Sequence, residues 1–207
     1  MTFIKDVFVK GGPVMWPLLL CSLVSLTITI ERLIFWWRVE RKRNDSLSER
    51  IVSFTERGDY ESAIAAGDDS LDISCRVLLS GLINRNHGLT EAMQVEAGNE
   101  VARMKQGMAI LDTIITMAPL LGILGTVLGI IDSFNLMGTS GIEDPKAATS
   151  GIAEALITTA AGLIIAIPTL IPFNYFVARV QREARKLGQF VTYLEVAYKR
   201  SLESQKI

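Results

Sequence analysis

Two long apolar segments, APLLGILGTVLGIIDSF at 118–134 and GIAEALITTAAGLIIAIPTLIPFNYF at 151–176, constrain this chain more than anything else in it. Each is long enough to cross a bilayer core, which takes ~20 residues of helix. Both carry glycine, alanine and threonine where a lipid-facing helix would carry leucine, isoleucine and valine. Small side chains let membrane helices approach closely, and hydroxyls at that depth face protein or water rather than lipid. The pattern points to a polar, multi-helix assembly rather than a simple anchor.

Charge is absent from residues 11–30, and apolar character resumes at Leu33–Trp37. Further charge-free runs cover Thr113–Ile131 and Ala155–Ala178. With 49% hydrophobic and 21% charged residues, segregated along the sequence, the chain reads as an all-α integral membrane protein with long helical extensions into water. Transmembrane helices are expected at 14–36, 111–134 and 152–176. The remainder divides into an N-terminal segment 1–13, a helical region 37–110, a short loop 135–151 and a C-terminal helix 177–207. The first span reads as retained rather than cleaved. It ends in Glu31-Arg32 and the interfacial pair Trp36-Trp37, not in small residues.

Lysine and arginine set the direction. Two precede the first span, one (Lys146) joins spans two and three, ten lie in 38–107 and seven in 179–207. The positive-inside rule puts the N-terminus outside and the C-terminus in the cytoplasm. The net charge of −1 offers no bulk attraction for nucleic acid. Cys21 and Cys75 read as structural thiols and His87, in NRNHG, as a solvated loop residue. There is no nucleophile–base pair, metal-ligand cluster or phosphate loop, so neither catalytic nor metal residues nor a cofactor are expected. The glycines of GILGTVLG lie inside a membrane helix rather than after a strand.

In the water-soluble part, SERIVSFTER stops at Gly58-Asp59, YESAIAAG ends at Gly67, and ISCRVLLSGLI ends before NRNHG, after which Thr90 suits a helix N-cap. Ala97, Val101, Met104, Met108, Leu111 and Ile115 form one stripe at helical period. With no breaker before Pro119, a single helix is expected to run from Thr90 into the second span. Leu187, Phe190, Val191, Leu194 and Tyr198 form a second stripe. The two stripes serve either a bundle within one subunit or contacts with neighbouring subunits.

Gly122, Thr126, Gly129 and Ser133 share one face of the second span, which Gly125 widens. Ala155, Thr159, Gly162, Ala166 and Thr169 share one face of the third. Close helix packing accounts for the glycines; Thr126 and Thr159 are equally candidates for an ion path. No span has a mid-depth carboxylate. Asp112 and Asp132 flank span two, and Glu154 lies near the outer end of span three. A conducting chain would need a partner helix to supply the titratable group. Pro119, Pro168 and Pro172 are candidate kinks.

Three N-out spans, a large helical loop after the first, and the two motifs quoted above resemble the ExbB/TolQ/MotA family of inner-membrane ion-channel subunits. The opening GGPVMWPLLL and IERL resemble its ExbB branch. The likeness covers nearly the whole chain, more weakly over 45–90. It implies a ring, in that family a pentamer, in the bacterial inner membrane with a periplasmic N-terminus. Spans two and three would line a pore around single-span ExbD/TolR-type helices that carry the membrane aspartate. The output would be force on a TonB- or TolA-like protein. The matching positions are pore-lining Thr126 and Thr159 and the outer-end Glu154. The ExbB-type role in outer-membrane transport, the TolQ-type role in envelope maintenance, and a non-conducting membrane scaffold are the competing functions.

Overall fold

The computed structural model describes residues 11–140 and 145–204, with side chains for 11–135, 153 and 155–204. Of the expected N-terminal segment 1–13 only 11–13 are described. Of 135–151, expected as a loop, 135–140 continue the helix that ends at Ser140 and 145–151 belong to the helix that begins at Pro145, so the loop is shorter than expected. Residues 141–144 and the Glu154 side chain lie outside the described residues. Among the described residues seven helices follow in order: α1 (Met15–Lys42), α2 (Asp45–Glu56), α3 (Tyr60–Gly67), α4 (Ile73–Ile83), α5 (Arg85–Met104), α6 (Met108–Ser140) and α7 (Pro145–Ser204). There is no strand among the described residues. Three stretches, within α1, α5–α6 and α7, are long and apolar enough to cross a membrane. Helices α6 and α7 continue through Pro119, Pro168 and Pro172.

The chain forms two compact units, 1–31 with 107–175 and 32–106 with 176–207. In the first, Val14, just before α1, and Met15 and Leu18 of α1 are buried in one cluster with Ala118 of α6 and Ala166 of α7. Leu20, Leu26 and Ile30 of α1, Ile123 and Val127 of α6, and Ile164 and Ile171 of α7 are exposed. That much uncovered aliphatic surface suits a bilayer or another helix, not water.

The single helix expected from Thr90 onward is interrupted, and the cause is Gly107. Residues 105–107 form a turn in which Gly107 has φ +77, in the left-handed region that L side chains avoid. A Cβ there would also stand 3.0 Å from Ile28 Cγ2. The stripe from Ala97 to Ile115 is therefore shared between α5 and α6. Thr90 is not an N-cap either. It lies inside α5, just past a break at Gly88 with φ 149. Arg85-Asn86-His87 form a helical turn ahead of that break, and His87 is exposed.

The second unit is a helical bundle. Ile51 of α2, Ala63 of α3, Leu78 and Leu82 of α4 and Met93 of α5 are fully buried. The C-terminal part of α7 joins it: Leu187, Phe190, Val191 and Leu194 are buried. The Tyr60 hydroxyl is hydrogen-bonded to Ser201 at 2.7 Å, and Arg200 pairs with Glu56 at 2.8 Å. The buried residues of the C-terminal stripe are thus packed into the bundle of their own chain. Asn44, Asp59 and Asp72 each cap a helix by accepting a backbone N–H, from Leu47, Ser62 and Ser74 respectively. Asp72 also accepts from the Asn44 amide, which ties the turn after α1 to the start of α4.

Asp72→Ala removes a cap and leaves the buried Ser74 amide and the Asn44 amide without their acceptor. It is expected to destabilise the chain by about 1–3 kcal/mol. Asp72→Asn, which keeps one acceptor oxygen, is expected to lose less, and thermal melts of the two variants in detergent compare them. The Arg43 guanidinium, joined by Lys186, holds the Asp45 carboxyl below its usual range. Hydrogen bonding by Arg179 does the same for Glu40. A depressed carboxylate stabilises the fold above its unfolded pKa of ~4 and is lost as pH falls through the folded value. The melting temperature is therefore expected to fall below pH ~4, and Asp45→Asn to flatten that fall. An unchanged acid slope in the variant would remove this pair from the account.

Candidate functional site: a hydroxyl pair between two glycine-faced helices

Helices α6 and α7 meet along the two small-residue faces. Gly122, Gly125, Gly129 and Ser133 on α6, and Ala155, Gly162, Ala166 and Thr169 on α7, are all buried; Thr126 and Thr159 are half-buried. Glycine is required where the backbones touch. A Cβ on Gly122 would stand 3.0 Å from both the Thr158 carbonyl and Thr159 Cα. A Cβ on Gly162 would collide with the Ala118 carbonyl, and one on Gly125 would sit 2.5 Å from Thr158 Oγ1. Without Cβ atoms the helices approach to backbone contact, the packing mode that lipid surroundings favour because hydrophobic burial gives no drive there.

The hydroxyls gather at this crossing. Thr126 Oγ1 lies within 3.1 Å of its own-helix carbonyl, Gly122 O, and also 3.1 Å from Ala155 O on α7. It is also directly hydrogen-bonded to Thr159 Oγ1. Thr159 reaches across to Gly122 O at 3.1 Å rather than bonding back along its own turn. Each hydroxyl has one proton. When one threonine donates to the other, the second still has a carbonyl to donate to, and the donor role can be exchanged between them without breaking the cluster. Ser133 and Thr169, farther along, donate to their own helices at Gly129 O (2.8 Å) and Ile165 O (2.7 Å).

Thr158, absent from the stripe read in the sequence, belongs to the same cluster. It is 1% exposed and donates to Ala155 O at 2.8 Å. The signal was available, because Thr158 stands three residues after Ala155 and four before Gly162, on their shared face. Around this cluster the two helices carry no Asp, Glu, His, Lys or Arg from Thr113 to Ile131 or from Ala155 to Ala178. Asp112 and Asp132 are exposed. The pair offers hydrogen-bond donors and acceptors but no site of its own for a proton.

An all-helical chain with three bilayer-length helices, two of them joined through glycines around a hydroxyl cluster, is a polytopic membrane protein. Residues 70–189 match the MotA/TolQ/ExbB proton channel family, and the chain belongs to that family. It is 40% identical over 209 residues to the protein named ExbB-like 1 of Synechocystis sp., covering 94% of this chain and 78% of that relative. It is 30% identical to the biopolymer transport protein ExbB of Neisseria meningitidis, over 83% of this chain and 86% of the relative. The Tol-Pal system protein TolQ of Pseudomonas aeruginosa is 35% identical over 52% of this chain and 46% of its own length.

The crossing makes a sharp prediction about glycine. Gly162→Ala must push α7 away from the Ala118 carbonyl and is expected to destabilise by about 1–3 kcal/mol. Gly188→Ala, on an open helix surface, is expected to stabilise by about 0.4–1 kcal/mol. Melts of the two variants in one detergent should move in opposite directions.

Proposed function

We propose that this chain is the ring-forming subunit of an ion-driven machine in the bacterial inner membrane. In this reading several copies, five by family resemblance, place α6 and α7 around a central path. The N-terminus is periplasmic, the 37–110 region and the C-terminal helix are cytoplasmic, and the spans are 14–36, 111–134 and 152–176. The observation that carries the proposal is the Thr126–Thr159 hydroxyl pair, set in two helices that have no titratable residue at mid-depth. Such a pair can solvate a carboxyl group in either protonation state but cannot carry the proton. The carrier is therefore assigned to the aspartate of a single-span ExbD/TolR-like partner.

The sequence of events follows from charge. A cation enters from outside past Glu154, which attracts it. It neutralises the partner's aspartate, whose movement along the path is accompanied by hydrogen bonds from Thr126 and Thr159. A neutral carboxyl no longer holds the inner helices in one position, so they shift against the ring. One charge crossing ~100 mV yields ~2.3 kcal/mol, so a useful stroke needs several ions. The force acts on a TonB-like periplasmic protein and energises outer-membrane transport. ExbB relatives match 83% or more of this chain and the TolQ relative 52%, which supports the ExbB-type role over the TolQ-type one. The glycine contacts between α6 and α7 would equally serve a non-conducting scaffold.

Thr126→Val with Thr159→Val keeps the shape of the pair and removes both hydroxyls. The double variant is expected to assemble with its partner as the unaltered protein does. In liposomes under an imposed potential it is expected to lose at least about tenfold in flux, the equivalent of one or two hydrogen bonds in the path. Unchanged flux would remove both residues from the mechanism. No flux from the unaltered protein with its partner, for H⁺ or Na⁺, would favour the scaffold.

A further inference from the structure

A second feature lies entirely within the unit formed by 32–106 and 176–207. A cavity of about 220 Å³ is lined by the end of α1, the start of α4, and residues of α5 and α7. It is below the ~300–1,000 Å³ of drug-sized pockets, so it suits a small group. Its wall carries Arg38, Lys42, Arg76 and Arg103, with Phe35 at the side where α1 leaves its apolar run.

The carboxylates of the wall are already engaged. Glu100, only 2% exposed, lies between two guanidiniums, Arg76 at 3.0 Å and Arg103 at 3.1 Å. One buried negative charge thus faces two positive ones. Asp72 accepts from the amides of Ser74 and Asn44. Glu40 is bound by Arg179, and Glu183 lies 3.8 Å from Arg43. Arg38 and Lys42 make no ion pair among the described residues. Arg76 Nε is buried and has no hydrogen-bond acceptor. A cavity with surplus positive charge, two of whose cations are unpaired, is a place where an anion completes the structure.

We infer that this cavity is a binding site for a phosphate-bearing anion, held by Arg38, Lys42 and Arg76. A phosphate group presents several strong acceptor oxygens, enough for the two unpaired cations and the exposed part of the Arg76 guanidinium at once. Its source is either a soluble phosphate ester or the headgroup of an acidic phospholipid. The lipid has easy access, because the exposed Trp37 marks the interfacial end of the α1 span and Phe35 lines the cavity, whereas Trp36 of the expected interfacial pair is buried within the chain. The site is separate from the threonine cluster and does not depend on the chain conducting ions.

The test uses the full chain purified in a neutral detergent and depleted of lipid. Phosphatidylglycerol, phosphatidylcholine and glycerol phosphate are titrated in turn, with binding read by native mass spectrometry and by the shift in melting temperature. Arg38→Gln with Lys42→Gln alters two exposed side chains and should leave the fold intact. Lys199→Gln with Arg200→Gln removes the same charge where neither residue lines the cavity. Phosphatidylglycerol is expected to bind about thirtyfold more weakly to the first double variant and less than about threefold more weakly to the second, from about 1 kcal/mol per cation. Glycerol phosphate binding with the same loss would assign the site to a soluble ester. Binding of neither anion, equal binding of phosphatidylcholine, or equal losses in the two variants would overturn the site.

Discussion

The contact on which the rest depends is the approach of α6 to α7 at Gly122, Gly125 and Gly162. In lipid, helices gain little from burying apolar surface, so association rests on close packing and hydrogen bonds between them. Missing Cβ atoms supply both. They bring the Thr158 and Ala118 carbonyls against the facing helix. That distance also decides that Thr126 and Thr159 touch each other, and that Thr159 reaches the Gly122 carbonyl rather than bonding back into its own turn. A single methyl at Gly162 would separate the helices and take the hydroxyl pair with them.

The cluster shows how a polar feature survives at membrane depth. A buried hydroxyl without a partner is destabilising, and hydrocarbon offers no water to satisfy it. Here three threonines draw on the carbonyls of Gly122 and Ala155, which already accept within their helices but retain a second lone pair. Nothing is left unsatisfied, and nothing can ionise. A site of this kind can respond to charge brought by another chain while remaining stable in its absence, which links the packing to the family's chemistry.

The second unit uses the opposite physics. Its core of Ile51, Leu78, Leu82 and Met93 is built by ordinary hydrophobic burial, and its helix starts are fixed by Asn44, Asp59 and Asp72. Charged residues are taken inside only in compensated groups. Glu100 is held by Arg76 and Arg103. Arg32, 3% exposed, donates to the Arg103 carbonyl at 3.1 Å and lies over the Phe35 ring. These contacts join the ends of distant helices, and so set where the positive charges of the bundle collect.

The sequence by itself determined the all-helical class, the three bilayer-length runs, the caps at Gly58-Asp59, and the two small-residue faces. Each depends on composition or on spacing along one helix, and 3.6-residue periodicity is visible in a string of letters. It also carried the resemblance to the ExbB/TolQ/MotA family and the absence of a mid-span carboxylate. Tertiary structure decided what spacing cannot encode. The turn at Gly107 depends on a positive φ, and a glycine inside a helical pattern is otherwise tolerated. The C-terminal helix found partners 141 and 144 residues away, through Tyr60–Ser201 and Arg200–Glu56. Thr158 and Thr159, adjacent in the chain, were separated into a buried packing contact and a shared hydroxyl by the angle at which one helix crosses the other. Glu100 became buried because two arginines converge on it. Those outcomes belong to distances between elements, which no single helix specifies.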